Sequence, residues 1–97
     1  MIEINNDNFK SEVLEQELVL VDFNADWCGP CQMLKPVLEE LSEKYKIVSV
    51  NVDDNMELAR EYGIMTIPCL ILFKDGKEYK RSVGLKSNDD IISMMEE

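Results

Sequence analysis

An unbroken aliphatic run, Leu18-Val19-Leu20-Val21, gives way to a pattern of a different period, and Cys28-Gly29-Pro30-Cys31 lies at the change. A short apolar run of this kind reads as a strand covered on both faces. Downstream, Leu34, Val37, Leu38, Leu41 and Tyr45 recur at the spacing of one helical face. The chain must therefore turn from strand to helix at the cysteines, with Pro30 near the first helical position that proline favours. A cysteine at such a corner looks out from the helix N-terminus, where free N–H groups and the macrodipole favour a thiolate over a thiol. Cys31 is one turn further on and can close a small disulfide with Cys28. The corner is a dithiol made to be oxidised and reduced.

The remaining elements arrange themselves around it. Ile2 to Ile4 reads as a short strand, and Asn5-Asn6-Asp7 offers caps to a short helix carrying Phe9, Val13 and Leu14. Leu18 to Phe23 is the central strand, and the long helix runs from about Cys31 to Tyr45 with Pro36 inside it, a predicted kink. Ile47 to Val52 is a third strand, joined to the central one by a right-handed crossover. Asp53-Asp54-Asn55 caps a short helix holding Leu58, Ala59 and Tyr62, which Gly63 ends. Cys69 to Phe73 and Glu78 to Val83 flank Asp75-Gly76, a tight-hairpin signal, so they are antiparallel. Ser87-Asn88-Asp89-Asp90 opens a last helix that offers Ile91, Ile92 and Met95 to the core. The expectation is an α/β fold in one domain, residues 1–97, with a mixed five-stranded sheet flanked by four α-helices.

Composition narrows the function. A formal charge of −10 repels phosphate backbones and argues against nucleic-acid binding. It serves solubility, or steering toward basic surfaces on partners. Three cysteines are too few for a disulfide scaffold and fit a reducing compartment, the cytoplasm. Met1-Ile2-Glu3-Ile4 shows no basic region followed by an apolar core, and no apolar stretch is long enough to span a bilayer. Histidine is absent, which removes the commonest catalytic base and zinc ligand together. CxxC is also a metal-ligand spacing, but without a second CxxC a closed zinc site is hard to build, and no metal is expected.

The stretch Trp27-Cys28-Gly29-Pro30-Cys31 resembles the active site of the thioredoxin family. The likeness extends to Val21-Asp22-Phe23, Val50-Asn51-Val52-Asp53, Tyr62-Gly63-Ile64, Ile67-Pro68, Phe73-Lys74-Asp75-Gly76 and Val83-Gly84, essentially the whole chain. The resemblance implies a thioredoxin fold and a protein-disulfide reductase that cycles between dithiol and disulfide with no bound cofactor. It implies a monomer fed by a thioredoxin reductase, a flavoenzyme drawing on NADPH or ferredoxin, and serving disulfide-containing client proteins. Cys28 is the expected nucleophile and Cys31 the resolving thiol, consistent with exchange through a mixed disulfide. Gly29 and Pro30 are implied to tune the redox potential toward reduction. An Ile67–Pro68 cis bond facing the dithiol is implied, with Trp27, Ile67, Pro68, Gly84 and Leu85 as an apolar docking rim and Met65 as an adaptable contact.

Asp22 is a carboxylate in a strand that otherwise reads as buried, so desolvation should raise its pKa. The family implies that it takes the proton from Cys31. Two positions depart from the resemblance: Ser49 stands where many relatives have a lysine, and Asn24 where tryptophan is frequent. The first removes a cation from beside Asp22, and the second removes an aromatic contact near the site. Cys69 is expected to be small apolar filler. Two other readings compete: a glutaredoxin-like protein fed by glutathione, and a binding module in which redox activity is incidental.

Overall fold

The computed structural model describes residues 1–96. Five strands, Ile2–Ile4 (β1), Leu18–Asn24 (β2), Ile47–Asn51 (β3), Cys69–Lys74 (β4) and Lys77–Val83 (β5), form one sheet in the order β1-β3-β2-β4-β5. β3 runs parallel to both β1 and β2, while β4 runs antiparallel to β2 and β5, so the sheet is mixed as expected. The helices are Gly29–Leu41 (α1), Met56–Glu61 (α2), Asn88–Glu96 (α3) and a five-residue π-helical turn, Lys10–Leu14. No helix among the described residues is long and apolar enough to cross a membrane.

Strand alternation divides the core. Val19, Val21 and Phe23 join Phe9, Val13, Val48, Val50, Leu58, Ile71 and Phe73 on the face covered by the π-helical turn and α2. Tyr62 packs there too, its ring 5.3 Å from Phe73 and 5.5 Å from Phe9. Leu20 points the other way, with Leu34, Leu38, Leu41, Ile47, Leu70, Leu72, Ile91 and Met95 beneath α1 and α3. Burying a leucine such as Leu34 or Leu38 stabilises the fold by about 2 kcal/mol, and these two fasten the helix that carries the dithiol.

Local chemistry sets the boundaries, and some differ from the sequence reading. α1 starts earlier than Cys31, because Cys28 is its N-cap and accepts the Cys31 N–H at 3.2 Å; Pro30 then occupies the second helical position. It ends at Leu41, ahead of the expected Tyr45, since Lys44 and Tyr45 turn back to bond the Leu41 carbonyl. Asn55 makes no side-chain cap for α2. Its amide donates to the Asn51 carbonyl at 2.9 Å and its oxygen accepts Asn6 N–H at 2.9 Å, so this buried side chain ties two loops together. Gly63, at φ +63°, closes α2 with the Ile64 N–H on Ala59 O and the Gly63 N–H on Arg60 O, the paired bonds of a Schellman end. Asp75 and Gly76 both have positive φ, as a tight hairpin with the sheet's twist demands. Ser87 caps α3 through Oγ, which accepts the Asp90 N–H at 3.1 Å.

Candidate active site

The β2–α1 corner carries the two thiols. Cys28 and Cys31 are joined as a disulfide with their Cα atoms 5.2 Å apart. The bond Cys28 Sγ accepts from Cys31 N–H is the kind that stabilises negative charge on sulfur when the pair is reduced. The loop before it is pinned by the Cys28 N–H and Gln32 Nε2, which both donate to the Ala25 carbonyl, at 3.2 and 3.3 Å. Both cysteines are largely covered, Cys31 the more so at 2% exposure against 5% for Cys28.

A rim rises around Cys28. Trp27 is 72% exposed, a large apolar surface held in place by its indole N–H, which donates to Asp53 Oδ2 at 2.8 Å. Asp53 is itself set by Asn51, whose Oδ1 accepts the Asp53 N–H at 2.9 Å. Opposite, the Ile67–Pro68 bond is cis, and the Ile67 carbonyl oxygen stands 3.9 Å from Cys28 Sγ. Pro68 is buried, so it supports the rim from beneath; its carbonyl accepts the Gly84 N–H at 2.8 Å, bringing Gly84 alongside. Leu85 and Met65 are exposed, Met65 almost completely at 95%. Gly29 and Pro30 are exposed at the start of α1.

Asp22 occupies the alternate face of β2, the one that also carries Leu20 and lies under α1. It is 2% exposed, and its Oδ1 accepts no hydrogen bond from the protein. Desolvation pushes its pKa up to about 7 from 3.8, against smaller downward pulls from the Asn24 amide and the Lys35 charge. Asp22 and Cys31 line one small cavity of about 50 Å³.

Asn24 and Ser49 belong to this group, which the sequence reading had taken only as two losses. Ser49 sits opposite Asp22 in the β2–β3 register, and Asn24 lies two residues along on the same face. The Asn24 amide donates to Ser49 Oγ at 2.7 Å and to Asp22 Oδ2 at 3.3 Å. With Ser49 on β3, the cation that acts on Asp22 is Lys35 of α1, which lines the same cavity. Period-two alternation alone would have put Asn24 beside Asp22; Ser49 needed the register between strands. The Trp27–Asp53 bond was likewise unreadable, since it joins residues of two separate loops.

Cys69 is the free cysteine, buried within the apolar face around Phe23 and Phe73, where burial raises its thiol pKa. That is the environment of an inert packing residue. Among the described residues, no group of three His, Cys, Asp or Glu side chains is placed to hold a metal ion.

A redox-active cysteine pair at the N-terminus of a helix, following a buried strand and facing a cis-proline loop, defines a protein-disulfide oxidoreductase acting by thiol–disulfide exchange. The chain belongs to the thioredoxin family, whose model matches residues 1–97. It is 50% identical over 95 residues to a thioredoxin of Chlamydia caviae, covering 95% of this chain and 92% of that protein. A thioredoxin of Rickettsia felis is 43% identical over 94 residues, covering 92% of this chain and 90% of that one. Among solved structures, a mutant thioredoxin from Halobacterium salinarum superposes with a TM-score of 0.89 at 37% identity, covering 97% of this chain and 88% of that one. Family members work through their own cysteine pair, without a cofactor.

Proposed function

We propose that residues 1–97 act as one domain, a general protein-disulfide reductase that carries electrons from a flavoenzyme thioredoxin reductase to client proteins in the cytoplasm. It works as a monomer, and nucleic acid is not among its partners. The observation that carries this reading is the asymmetry of the pair. Cys28 follows the exposed Trp27 and accepts the Cys31 N–H, whereas Cys31 lines the small cavity that also holds the buried Asp22 carboxyl.

In the reduced protein the Cys28 thiolate attacks a client disulfide. A Cys28–client bond forms, the client disulfide breaks, and the departing client sulfur takes a proton from solvent. Asp22 then accepts the Cys31 proton, the Cys31 thiolate attacks Cys28 Sγ, and the Cys28–client bond breaks. The second client sulfur leaves as a thiolate and is protonated by water. The client has gained two electrons and the chain has become the Cys28–Cys31 disulfide. The reductase restores it with two electrons and two protons. A carboxyl titrating near neutrality is suited to the proton transfer, because it can both take and release the proton at working pH.

Trp27, Ile67, Gly84 and Leu85 dock the client around Cys28, with Pro68 supporting them and Met65 adding an adaptable contact. Gly29 and Pro30 set the turn that exposes the thiolate. Gly29 and Pro30 between the two cysteines, with no histidine there to stabilise the thiolate form, favour an electron donor over an oxidant. The cytoplasmic assignment draws on the few cysteines, one of them buried and free.

The test is turnover of a generic protein disulfide with a dithiol donor. Wild type should complete many cycles and Cys28→Ser none; a wild-type protein without turnover would refute the reading. In single-turnover experiments Asp22→Asn should slow resolution far more than first attack, and equal slowing of both steps would remove Asp22 from the mechanism.

A further inference from the structure

We propose that Asn24 is a positioning residue for the proton step: its amide holds one oxygen of Asp22 and leaves the other to take the Cys31 proton and pass it through the polar cavity under α1. This inference rests on the role given to Asp22 above, and adds what aims the carboxyl and where its proton leaves.

The Asn24 side chain has little freedom. Its Nδ2 stands 3.0 Å from the Asp22 carbonyl oxygen, 3.3 Å from Asp22 Oδ2 and 2.7 Å from Ser49 Oγ. Two of these three neighbours are obligate acceptors once Asp22 is ionised, and the hydroxyl of Ser49 can accept. Turning the amide over would set its oxygen against the Asp22 carbonyl and carboxylate, so the NH2 group faces inward. The donor therefore engages Oδ2 and the backbone of the same residue, and Oδ1 remains without a protein partner in a 2% exposed side chain.

The cavity supplies the path. Asp22, Cys31, Asn24, Ser49, Gln32 and Lys35 line it, and its volume of about 50 Å³ is large enough for a water. Gln32 and Lys35 are exposed residues of α1, so the cavity connects the buried carboxyl with the surface. The charged groups around it come from every side. The Met1 amino group, paired with Glu39 at 3.3 Å, and Glu3 approach from β1; Asp26 comes from the corner loop, and Lys35 and the Cys31 thiol from α1. Ser49 of β3 is uncharged, and Cys69 of β4 lies on the opposite face of the sheet. Lys35 is the cation that acts on Asp22, and it eases ionisation as the proton leaves.

Asn24 bonds the ionised carboxylate more strongly than the neutral acid, so its removal should make Asp22 harder to ionise. In Asn24→Leu the midpoint of Asp22, followed by the 13C shift of its side-chain carboxyl in the reduced full chain, should rise by about one unit. The pH profile of resolution should move alkaline by the same amount, slowing that step about fivefold at pH 7. Ser49→Ala removes the far anchor of the Asn24 amide and should move the midpoint in the same direction by less. An unmoved midpoint in a folded Asn24→Leu protein overturns the inference. Should that variant not fold, an unmoved midpoint in Ser49→Ala does the same. A moved midpoint combined with wild-type resolution in Asp22→Asn overturns the base role of Asp22 and leaves the Asn24 contact standing.

Discussion

Replacing Asp22 by asparagine should stabilise the oxidised protein, and increasingly so as the pH rises. The carboxyl is pushed from 3.8 to about 7 by burial. Between these values the folded protein still holds a proton that the unfolded chain has released. Stability therefore falls as the pH climbs through this window and levels off above it. At 1.36 kcal/mol per unit the full effect is about 4 kcal/mol, a large share of a small domain's stability. About 1.5 kcal/mol of it is already present at pH 5, so the difference between Asp22→Asn and wild type should widen by about 2.5 to 3 kcal/mol between pH 5 and pH 8.5. Urea unfolding of both proteins at several pH values measures this directly. Groups elsewhere titrate alike in the two proteins and cancel, as does the constant cost of placing an amide at the site. A difference that stays flat over this range would show that Asp22 is not desolvated and would refute the reasoning. The penalty has a functional counterpart, since a carboxyl that is costly to ionise in the fold is also one that exchanges its proton near neutrality.

Gly76 has φ +81° and an added Cβ would lie 2.6 Å from the Leu14 carbonyl oxygen, so Gly76→Ala should cost about 2 kcal/mol or more in urea unfolding. Gly29 has open space where its Cβ would be, and Gly29→Ala should change stability by about 0.5 kcal/mol or less. Cys69, 1% exposed with its thiol pKa raised by burial, should be alkylated in the native protein at least about a thousandfold more slowly than in the unfolded chain, as followed by mass spectrometry. Rapid native labelling would show that this thiol is reachable.

Much of the fold was legible because its signals are local. The aliphatic run at Leu18 to Val21, the helical spacing from Leu34 to Leu41, Asp75-Gly76 between two strands and Gly63 after a short helix each act through neighbours in the chain. All lie where they were expected. Helix ends were less legible. The start of α1 depends on a sulfur accepting an amide three residues on, and Asn55 is drawn from capping α2 by partners in the β1 and β3 connections. Such side chains have several possible partners, and packing chooses among them.

The dithiol followed from the sequence by itself, since the cysteine spacing, the proline and the strand-to-helix change are contiguous. So did the burial of Asp22, enclosed between residues that only a covered strand would carry. What surrounds that carboxyl was decided by tertiary structure alone. The register of β2 on β3 sets Ser49 opposite Asp22, and the seating of α1 on the sheet brings Lys35 and Cys31 over the same cavity. Pairing strands 25 or more residues apart costs loop entropy that only the assembled core repays. The charges and hydrogen bonds that tune Asp22 therefore exist only once the sheet and its covering helix have come together.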